Sequence, residues 1–552
     1  MKEIFIMTIG EKIMYLRNQA KLSQEQLAER LDVSRQSISK WELDQAQPQV
    51  DKLIQLCDLF SVSSDEMLRK EIIIGGDAPS VKSNDAREHG NKYFGTDGFR
   101  GEANVDLNSD QAYKVGRFLG WYYASPLSGC TKPNYRPRIV IGKDTRRSSY
   151  MLEYAIAAGI ASSGADANIL HVTTTPSVSY ITRSDDFDCG VMITASHNPF
   201  YDNGIKIINK FGEKLDDSVA ALIEAYLDGD LEKLNVGTPD LPFAKRERVG
   251  CIIDYFAGRN RYVGYLISLA SHSYRNLRIG LDCANGASWS LAKSIFDALG
   301  AKTYVIGNSP DGVNVNLGVG STHIEALREL VRSNHLDVGF AFDGDADRCL
   351  AVDENGDVVD GDKIIYILAK RLLDKGMLDK DTVVTTVMSN SGLTKALRKA
   401  GIENVQTRVG DRFVYECMQK NGYRLGGENS GHIIIKKYAT TGDGLLTAII
   451  LTEELLDRKA ALSSLAAPVK LYPQKMKNVR VQSKDTVMGD SELIQLVGEC
   501  NKKIGDEGRV LLHRSGTEPV VRIMAEAKTE ELCDKYINRI YNVIKRKGYE
   551  LD

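Results

Sequence analysis

Residues 188–207 read DCGVMITASHNPFYDNGIKI. The opening run, DCGVMITAS, is short and apolar, with charge before it and Asn, Pro and Gly after it, the pattern of a buried strand that ends in a loop. Working outward, the pattern recurs in PRIVIGKD (137–144), NLRIGLDCA (276–284) and LDVGFAFDG (336–344). Helical patterns separate these runs, among them MLEYAIAAGIASSG (151–164) and HIEALRELVRSN (323–334). Such alternation predicts stacked α/β units. Ligands in open α/β sheets bind at the carboxyl ends of strands, so the Gly-rich loops after these runs are the places to look for chemistry.

Length agrees with several units. At 552 residues the chain exceeds what one hydrophobic core organises, and the usual domain size gives about four domains. Composition is that of a globular protein, 43% hydrophobic and 26% charged, which excludes disordered and fibrous classes. The longest apolar runs, such as Leu445 to Leu451, are far shorter than the ~18 residues a membrane span requires. The first residues, MKEIFIMTIGEKIMYLRNQ, lack a signal peptide's apolar core and cleavage site, so a cytoplasmic location is expected. Nine cysteines without a CxxC pair fit reduced thiols better than disulfides or zinc. The net charge of −3 gives no global attraction to nucleic acid.

The first 70 residues read as short helices. Ser23 is placed to cap a helix containing Gln26, Leu27 and Leu31, and Ser34 another containing Ile38 and Trp41. Leu31-Asp32-Val33 makes a tight turn between them, and helix, turn, helix is the geometry that presents a second helix to the major groove. A helical protein-interaction module is the competing reading. Charge feeds that alternative: residues 1–70 hold ten Lys plus Arg against eleven Asp plus Glu, so one copy would grip phosphates weakly and dimerisation would be needed. Residues 71–90 mix Gly, Pro, Ser and charge without periodicity and read as a linker.

Five further segments carry chemistry. In VMITASHNPFYDNGIKI (191–207) Ser196 is the candidate nucleophile and phosphate carrier, with His197 and Lys206 as local assistants. A hydrolase elbow would need GxSxG, which this segment lacks. In FAFDGDADRCLAVDENGD (340–357) Asp343, Asp345 and Asp347 are alternate residues of a segment expected to be extended, so their carboxylates would share a side and suit Mg²⁺. A calcium loop shares that spacing, with Glu354 at position twelve, but position six is Arg348 where glycine is needed and the flanks look like strands. YFGTDGFRG (93–101) offers flexible backbone and Arg100 to a phosphate. LGGENSGH (425–432) places Glu428 and Ser430 where they suit sugar hydroxyls. HRSGTEPVVRI (513–523) gathers Arg514, Ser515, Gly516, Thr517 and Arg522, groups that recognise phosphate. Each short segment alone is also compatible with an ordinary polar turn. No P-loop is present, which argues against nucleotide-driven transfer.

In this order, TDGFRG, TASHNP, DGDADR, GGENSGH and SGTEP resemble the α-D-phosphohexomutase family over residues 91–552. LSQEQLAERLDVSRQSISKWE resembles the phage-repressor-like (XRE/Cro-type) helix-turn-helix family over residues 9–68. The resemblances imply an α/β fold with four mutase domains around a central cleft (91–250, 251–360, 361–474 and 475–552), preceded by a small all-α DNA-binding bundle (1–70) and the linker. They imply that Ser196 is phosphorylated and, with Asp343, Asp345 and Asp347, holds one Mg²⁺. Glu428 and Ser430 would hold the sugar, and Arg514 to Thr517 with Arg522 the phosphate not in transfer. Arg100 and Lys206 would handle protons and charge, with His197 as a further assistant. Ser34, Arg35, Gln36, Ser37 and Lys40 would form the DNA-reading face.

PDGVNVNLGVGSTH (310–323), VGDRFV (409–414) and TTGDGLLTA (440–448) are similar to the branch that acts on glucosamine phosphates. That branch implies interconversion of glucosamine 6-phosphate and glucosamine 1-phosphate through a bisphosphate, with a sugar bisphosphate as activator and a homodimer as the assembly. Glucose and mannose phosphates are the alternative substrates. A transcription regulator that senses sugar phosphate is the reading from another class, opposed by the intact serine and aspartates. One departure stands out: the family's phosphate loop begins with an arginine where this chain has His513, beside Arg514.

Overall fold

The computed structural model describes residues 8–19, 22–31, 33–46, 48–60, 92–95, 97–234, 236–514 and 520–551. The chain divides into two compact units, Met1–Asp85 and Ala86–Asp552. The expected linker (71–90), Asp32 of the tight turn and the Ser515–Thr517 segment lie outside the described residues.

In the N-terminal unit, helices span Ile9–Gln19, Gln24–Arg30, Arg35–Glu42 and Val50–Phe60. The caps are those read from the sequence. Ser23 Oγ accepts from Gln26 N at 3.1 Å while Ser23 N donates back to Gln26 Oε1 at 2.8 Å, a closed capping box. Ser34 Oγ accepts from Ser37 N at 3.1 Å. Ile13, Leu27, Leu31, Ile38 and Trp41 form the core. An ion pair from half-buried Arg17 to buried Glu42 at 2.5 Å ties the first helix to the third, and Gln24 adds a 2.7 Å bond to the same carboxylate.

The larger unit holds four sheets among its described residues. The first comprises β1 (Phe94–Gly95), β2 (Gly98–Glu102), β3 (Arg138–Lys143), β4 (Asp166–Val172), β5 (Cys189–Ile193), β6 (Asp202–Asn209) and β7 (Ile252–Asp254), in the order β1-β2-β6-β5-β3-β4-β7. β3, β4, β5 and β7 run parallel, β6 is antiparallel to β5, and β2 is antiparallel to β6. The second comprises β8 (Arg278–Asp282), β9 (Lys302–Ile306), β10 (Val338–Phe342), β11 (Cys349–Val352) and β12 (Val358–Val359), ordered β12-β11-β10-β8-β9. The third comprises β13 (Thr382–Thr386), β14 (Glu403–Thr407), β15 (Leu425–Gly427) and β16 (Ile433–Ile435), ordered β14-β13-β15-β16. The fourth, β17 (Gln474–Arg480), β18 (Arg509–Arg514) and β19 (Val520–Glu526), is antiparallel in the order β17-β19-β18.

β7 follows residue 250, the expected end of the first mutase domain, yet it hydrogen-bonds into the first sheet. The chain crosses back to that sheet after a stretch (228–251) without strong periodicity, so no sequence pattern marked the return. β5 in the first sheet and β10 in the second are wholly buried, and β3 is buried beyond Arg138, which is why they read as continuous apolar runs. The second and third sheets share one apolar core, from Tyr262 through Phe296 and Ile365 to Val469, whereas the first and fourth have their own. No helix among the described residues is long and apolar enough to cross a membrane.

Candidate active site

Two buried strands aim at one point. β5 runs out into Thr194-Ala195-Ser196, and β10 ends one residue before Asp343. Ser196 Oγ donates to Asp343 Oδ2 at 2.5 Å, and Ser196 is only 1% exposed. Asp343, Asp345 and Asp347 each offer an oxygen, all within 4.8 Å of one another. The expected trio therefore forms, by a different local route: the segment after Phe342 is a turn, with Ala346 at φ 55°, and the carboxylates converge because the chain wraps. Gly344 is required here, since a Cβ would stand 2.4 Å from the Ser196 carbonyl oxygen. The calcium-loop reading fails on the same geometry. Strands flank the turn, and Glu354 points away to accept from Ser463 Oγ.

Ser196 itself sits at φ 52°, a left-handed conformation that costs a non-glycine residue on the order of 1 kcal/mol and persists only where neighbours enforce it. Its N–H donates to Thr194 Oγ1 at 2.9 Å. Its carbonyl accepts from Arg146 Nη2 at 2.8 Å and Asn316 Nδ2 at 2.9 Å. Arg146 is fully buried, reaches the carbonyls of Asn198 and Pro199 as well, and pairs with buried Asp144 at 2.7 Å. Asp144 also accepts from Thr194 Oγ1 at 2.8 Å, closing a network beneath the serine.

Charge surrounds the carboxylates. Lys206 Nζ lies 2.8 Å from Asp345, 3.2 Å from Asp347 and 3.4 Å from Asp97. Burial alone would lower this lysine, but those three carboxylates outweigh it and hold it well above its ordinary value. Burial likewise pushes Asp343 well up, and Asp347 and Asp345 push the same way. Asp345 differs, because Lys206 overcomes the cost of burial and brings it down to about 2. Thr175 adds a 2.5 Å bond to that carboxylate. Arg100, on β2 opposite Gly204 of β6, pairs with Asp97. His197 Nδ1 is 3.3 Å from Ser196 Oγ, and burial together with Arg348 and Arg100 lowers it to about 3, so its imidazole is neutral.

Oδ1 of Asp345 and Oδ1 of Asp347 are buried without a hydrogen-bond partner. Buried carboxylate oxygens left bare are costly, and a set of hard oxygen donors this close together fits a divalent cation such as Mg²⁺. Beside them opens a cavity lined by Asp97, Lys206, Lys214, Asp347, Asp411 and Arg412.

The β15–β16 hairpin carries the expected sugar group. Glu428 accepts from Gly410 N at 3.0 Å, so the GDR segment buttresses it, and Ser430 Oγ is buried without a partner. The third branch segment supports the aspartate turn: Gly444 N donates to Ala346 O at 3.0 Å. The phosphate group stands elsewhere, on the fourth sheet. Arg514 ends β18, paired with Asp485 at 3.0 Å, and Arg522 lies on β19 opposite His513. In the N-terminal unit Ser34, Arg35, Gln36 and Lys40 are exposed and Ser37 half-buried, with Arg35 paired to Glu25 at 2.8 Å.

The reading of the sequence gave no role at the site to Asp97, Asp144, Arg146, Thr175, Lys214, Asn316, Arg348 and Asp411. Asp97, Asn316, Arg348 and Asp411 lie inside quoted motifs, though their roles were not read there. Asp144 ends the PRIVIGKD segment and Arg146 follows it, so a charged D-x-R at a strand's carboxyl end was the available signal.

A strained, buried serine held against three carboxylates and ringed by Lys206, Arg100 and Arg348 defines an α/β phosphoryl-transfer enzyme. Sequence comparison agrees, with matches to phosphoglucomutase/phosphomannomutase alpha/beta/alpha domains I (residues 91–233), II (260–356) and III (360–472) and to the C-terminal domain (476–543). The chain belongs to the phosphoglucomutase/phosphomannomutase family and is a phosphohexose mutase, an isomerase. Residues 13–67 match a helix-turn-helix family. Over 458 residues, 83% of this chain and 99% of the relative, it is 59% identical to a phosphoglucosamine mutase of Lachnospira eligens. It is 49% identical to that of Bacillus subtilis over 82% of this chain and 98% of the relative. Among solved structures, a family protein from Burkholderia thailandensis shares the fold with TM-score 0.67 at 23% identity, covering 82% of this chain and 97% of that one. The Aspergillus fumigatus N-acetylphosphoglucosamine mutase, in complex with GlcNAc-6P and magnesium, does so with TM-score 0.59 at 18% identity, over 83% and 95%.

Proposed function

We propose that the α/β unit is a phosphoglucosamine mutase, interconverting glucosamine 6-phosphate and glucosamine 1-phosphate in the cytoplasm. The observation that carries the chemistry is the 2.5 Å contact between Ser196 Oγ and Asp343 within the three-carboxylate cluster. The substrate assignment is supported by the 59% identity to a relative so described.

In this reading Ser196 carries a phosphoryl group, installed with a sugar bisphosphate as activator. The group passes to a free sugar hydroxyl, giving a bisphosphate, and the other phosphate returns to the serine. In the first half the serine oxygen leaves and one proton passes from the attacking sugar hydroxyl to the serine; in the second half the serine hydroxyl attacks, the sugar oxygen leaves, and the proton passes from serine to sugar. Lys206 and Arg100 neutralise the phosphoryl oxygens, and His197, being neutral, acts as a hydrogen-bond acceptor beside Oγ. Glu428 and Ser430 orient the sugar hydroxyls. Arg514, Ser515, Gly516, Thr517 and Arg522 hold the phosphate that is not in transfer. Asp343, Asp345, Asp347 and the Ser196 oxygen would hold Mg²⁺, which when bound there offsets negative charge on the transferring group.

The experiment is a coupled assay of glucosamine 1-phosphate formation by the full chain, with Ser196→Ala as control. Equal turnover by both proteins refutes the assignment. A kcat/KM for glucose or mannose phosphates above that for glucosamine phosphate moves it to a sister activity.

We further infer that the N-terminal unit binds duplex DNA through Ser34, Arg35, Gln36, Ser37 and Lys40, with two copies of the chain acting together. Exposed Gln and Arg on a capped second helix support this. Retention of genomic fragments that weakens with salt is expected, and binding that is absent or indifferent to salt removes the proposal.

A further inference from the structure

Asp345 is held from the layer of another sheet. Thr175 opens the helix Thr175–Ser184 that follows β4 of the first sheet, and it is buried. Its hydroxyl donates to Asp345 Oδ2 at 2.5 Å, and its N–H donates to the Asp345 carbonyl at 3.1 Å. One residue beside the first sheet thus fixes both the main chain and the carboxylate of a residue in the turn that follows β10. The donor is itself fixed. Thr174 caps the helix by accepting from Ser177 N at 3.2 Å, Pro176 stiffens its first turn, and Thr173 donates to Ser177 Oγ at 2.8 Å.

Asp345 and Asp347 are each tied at one oxygen and open at the other. Asp345 Oδ2 receives Thr175 Oγ1 and, at 2.8 Å, Lys206 Nζ, while its Oδ1 is bare. Asp347 Oδ2 receives Lys206 at 3.2 Å, and its Oδ1 is bare too. Lys206 is divided among Asp345, Asp347 and Asp97, whereas among the described residues the Thr175 hydroxyl serves Asp345 alone. The last torsion of an aspartate is broad and two-fold, so an untied carboxylate swings to offer both oxygens and a tied one offers a single oxygen. Ca²⁺ gathers about 6–8 oxygens and accepts two from one carboxylate, whereas Mg²⁺ demands a small octahedral set. We propose that Thr175 is a positioning residue that keeps Asp345 a one-oxygen ligand and so biases the site toward Mg²⁺ over Ca²⁺. This rests on the Mg²⁺ reading proposed above and adds the residue that sets its selectivity.

The test is calorimetric titration of Mg²⁺, and separately of Ca²⁺, into the chelator-stripped full chain without substrate, for wild type, Thr175→Val and Thr175→Ser. Valine keeps the branched shape and the N–H, and Lys206 still meets Oδ2, so the fold is expected to hold; thermal unfolding without metal checks it. Thr175→Val should weaken Mg²⁺ binding about tenfold or more, the scale of losing a group that orients a metal ligand, and Ca²⁺ binding at most about twofold. Thr175→Ser, which keeps the hydroxyl donor, should stay within about twofold of wild type for both cations. Undiminished Mg²⁺ binding by Thr175→Val overturns the proposal, as does an equal loss of both cations or a serine variant that behaves like the valine one. So does a wild type that binds Ca²⁺ more tightly than Mg²⁺, a result that needs no variant to fold. A wild type that binds neither cation removes the Mg²⁺ reading itself, and this inference with it.

Discussion

The two units of this chain treat charge in opposite ways. The α/β unit gathers buried Asp343, Asp345, Asp347, Lys206, Asp144 and Arg146, whereas the helical unit leaves Arg35, Gln36 and Lys40 in water and buries Lys12 and Glu42, the latter paired with half-buried Arg17. Burying an ionised group is costly unless partners meet it, so a buried cluster with bare oxygens is informative about function. Exposed charge is cheap, and any solvated helix carries some. For this reason the site in the α/β unit defines a reaction, and the helical unit defines a surface.

Removing one buried partner should separate the regions most sharply. Asp345→Ala takes a carboxylate from beneath Lys206 and is expected to lower kcat by about three orders of magnitude, the scale of losing a preorganised electrostatic group. Steady-state rates with added Mg²⁺ check this, and a loss below tenfold would place the chemistry elsewhere. Arg146→Ala leaves Asp144 buried and unpaired and should cost ~3–5 kcal/mol of stability, read by denaturant unfolding of the α/β unit. Arg146→Lys should recover only part of it, because a lysine cannot span Asp144 and three carbonyls together.

The helical unit should respond more gently. Ser34→Ala removes a cap and is expected to destabilise that unit by about 1 kcal/mol while mutase turnover stays unchanged. A matching fall in turnover would mean the units are coupled. Smallest of all, Lys40→Ala should reduce the salt slope of DNA binding by about one, without abolishing it.

What the sequence disclosed follows the same division. Ser196 and the three aspartates were legible because they close strands whose apolar runs are unmistakable, and because their residue types suit phosphate and a hard cation. The shape of the aspartate segment was not, since alternate acidic residues look alike in a strand and in a turn. Arg146 and Asn316 were hidden for another reason. They act on main-chain carbonyls 50 and 120 residues away, and a carbonyl carries no residue type to read. The return of β7 to the first sheet was likewise invisible, because three exposed residues set no pattern. In the helical unit both caps were legible, since capping is a local bond between residues three apart.

The most direct test of the account is to incubate the full chain with a sugar 1,6-bisphosphate, digest it and locate the phosphoryl group by mass spectrometry. The account predicts one stoichiometric phosphoryl group on the peptide that holds Ser196, and none in Ser196→Ala. Stoichiometric label on a different residue, or equal labelling of the variant, would contradict it.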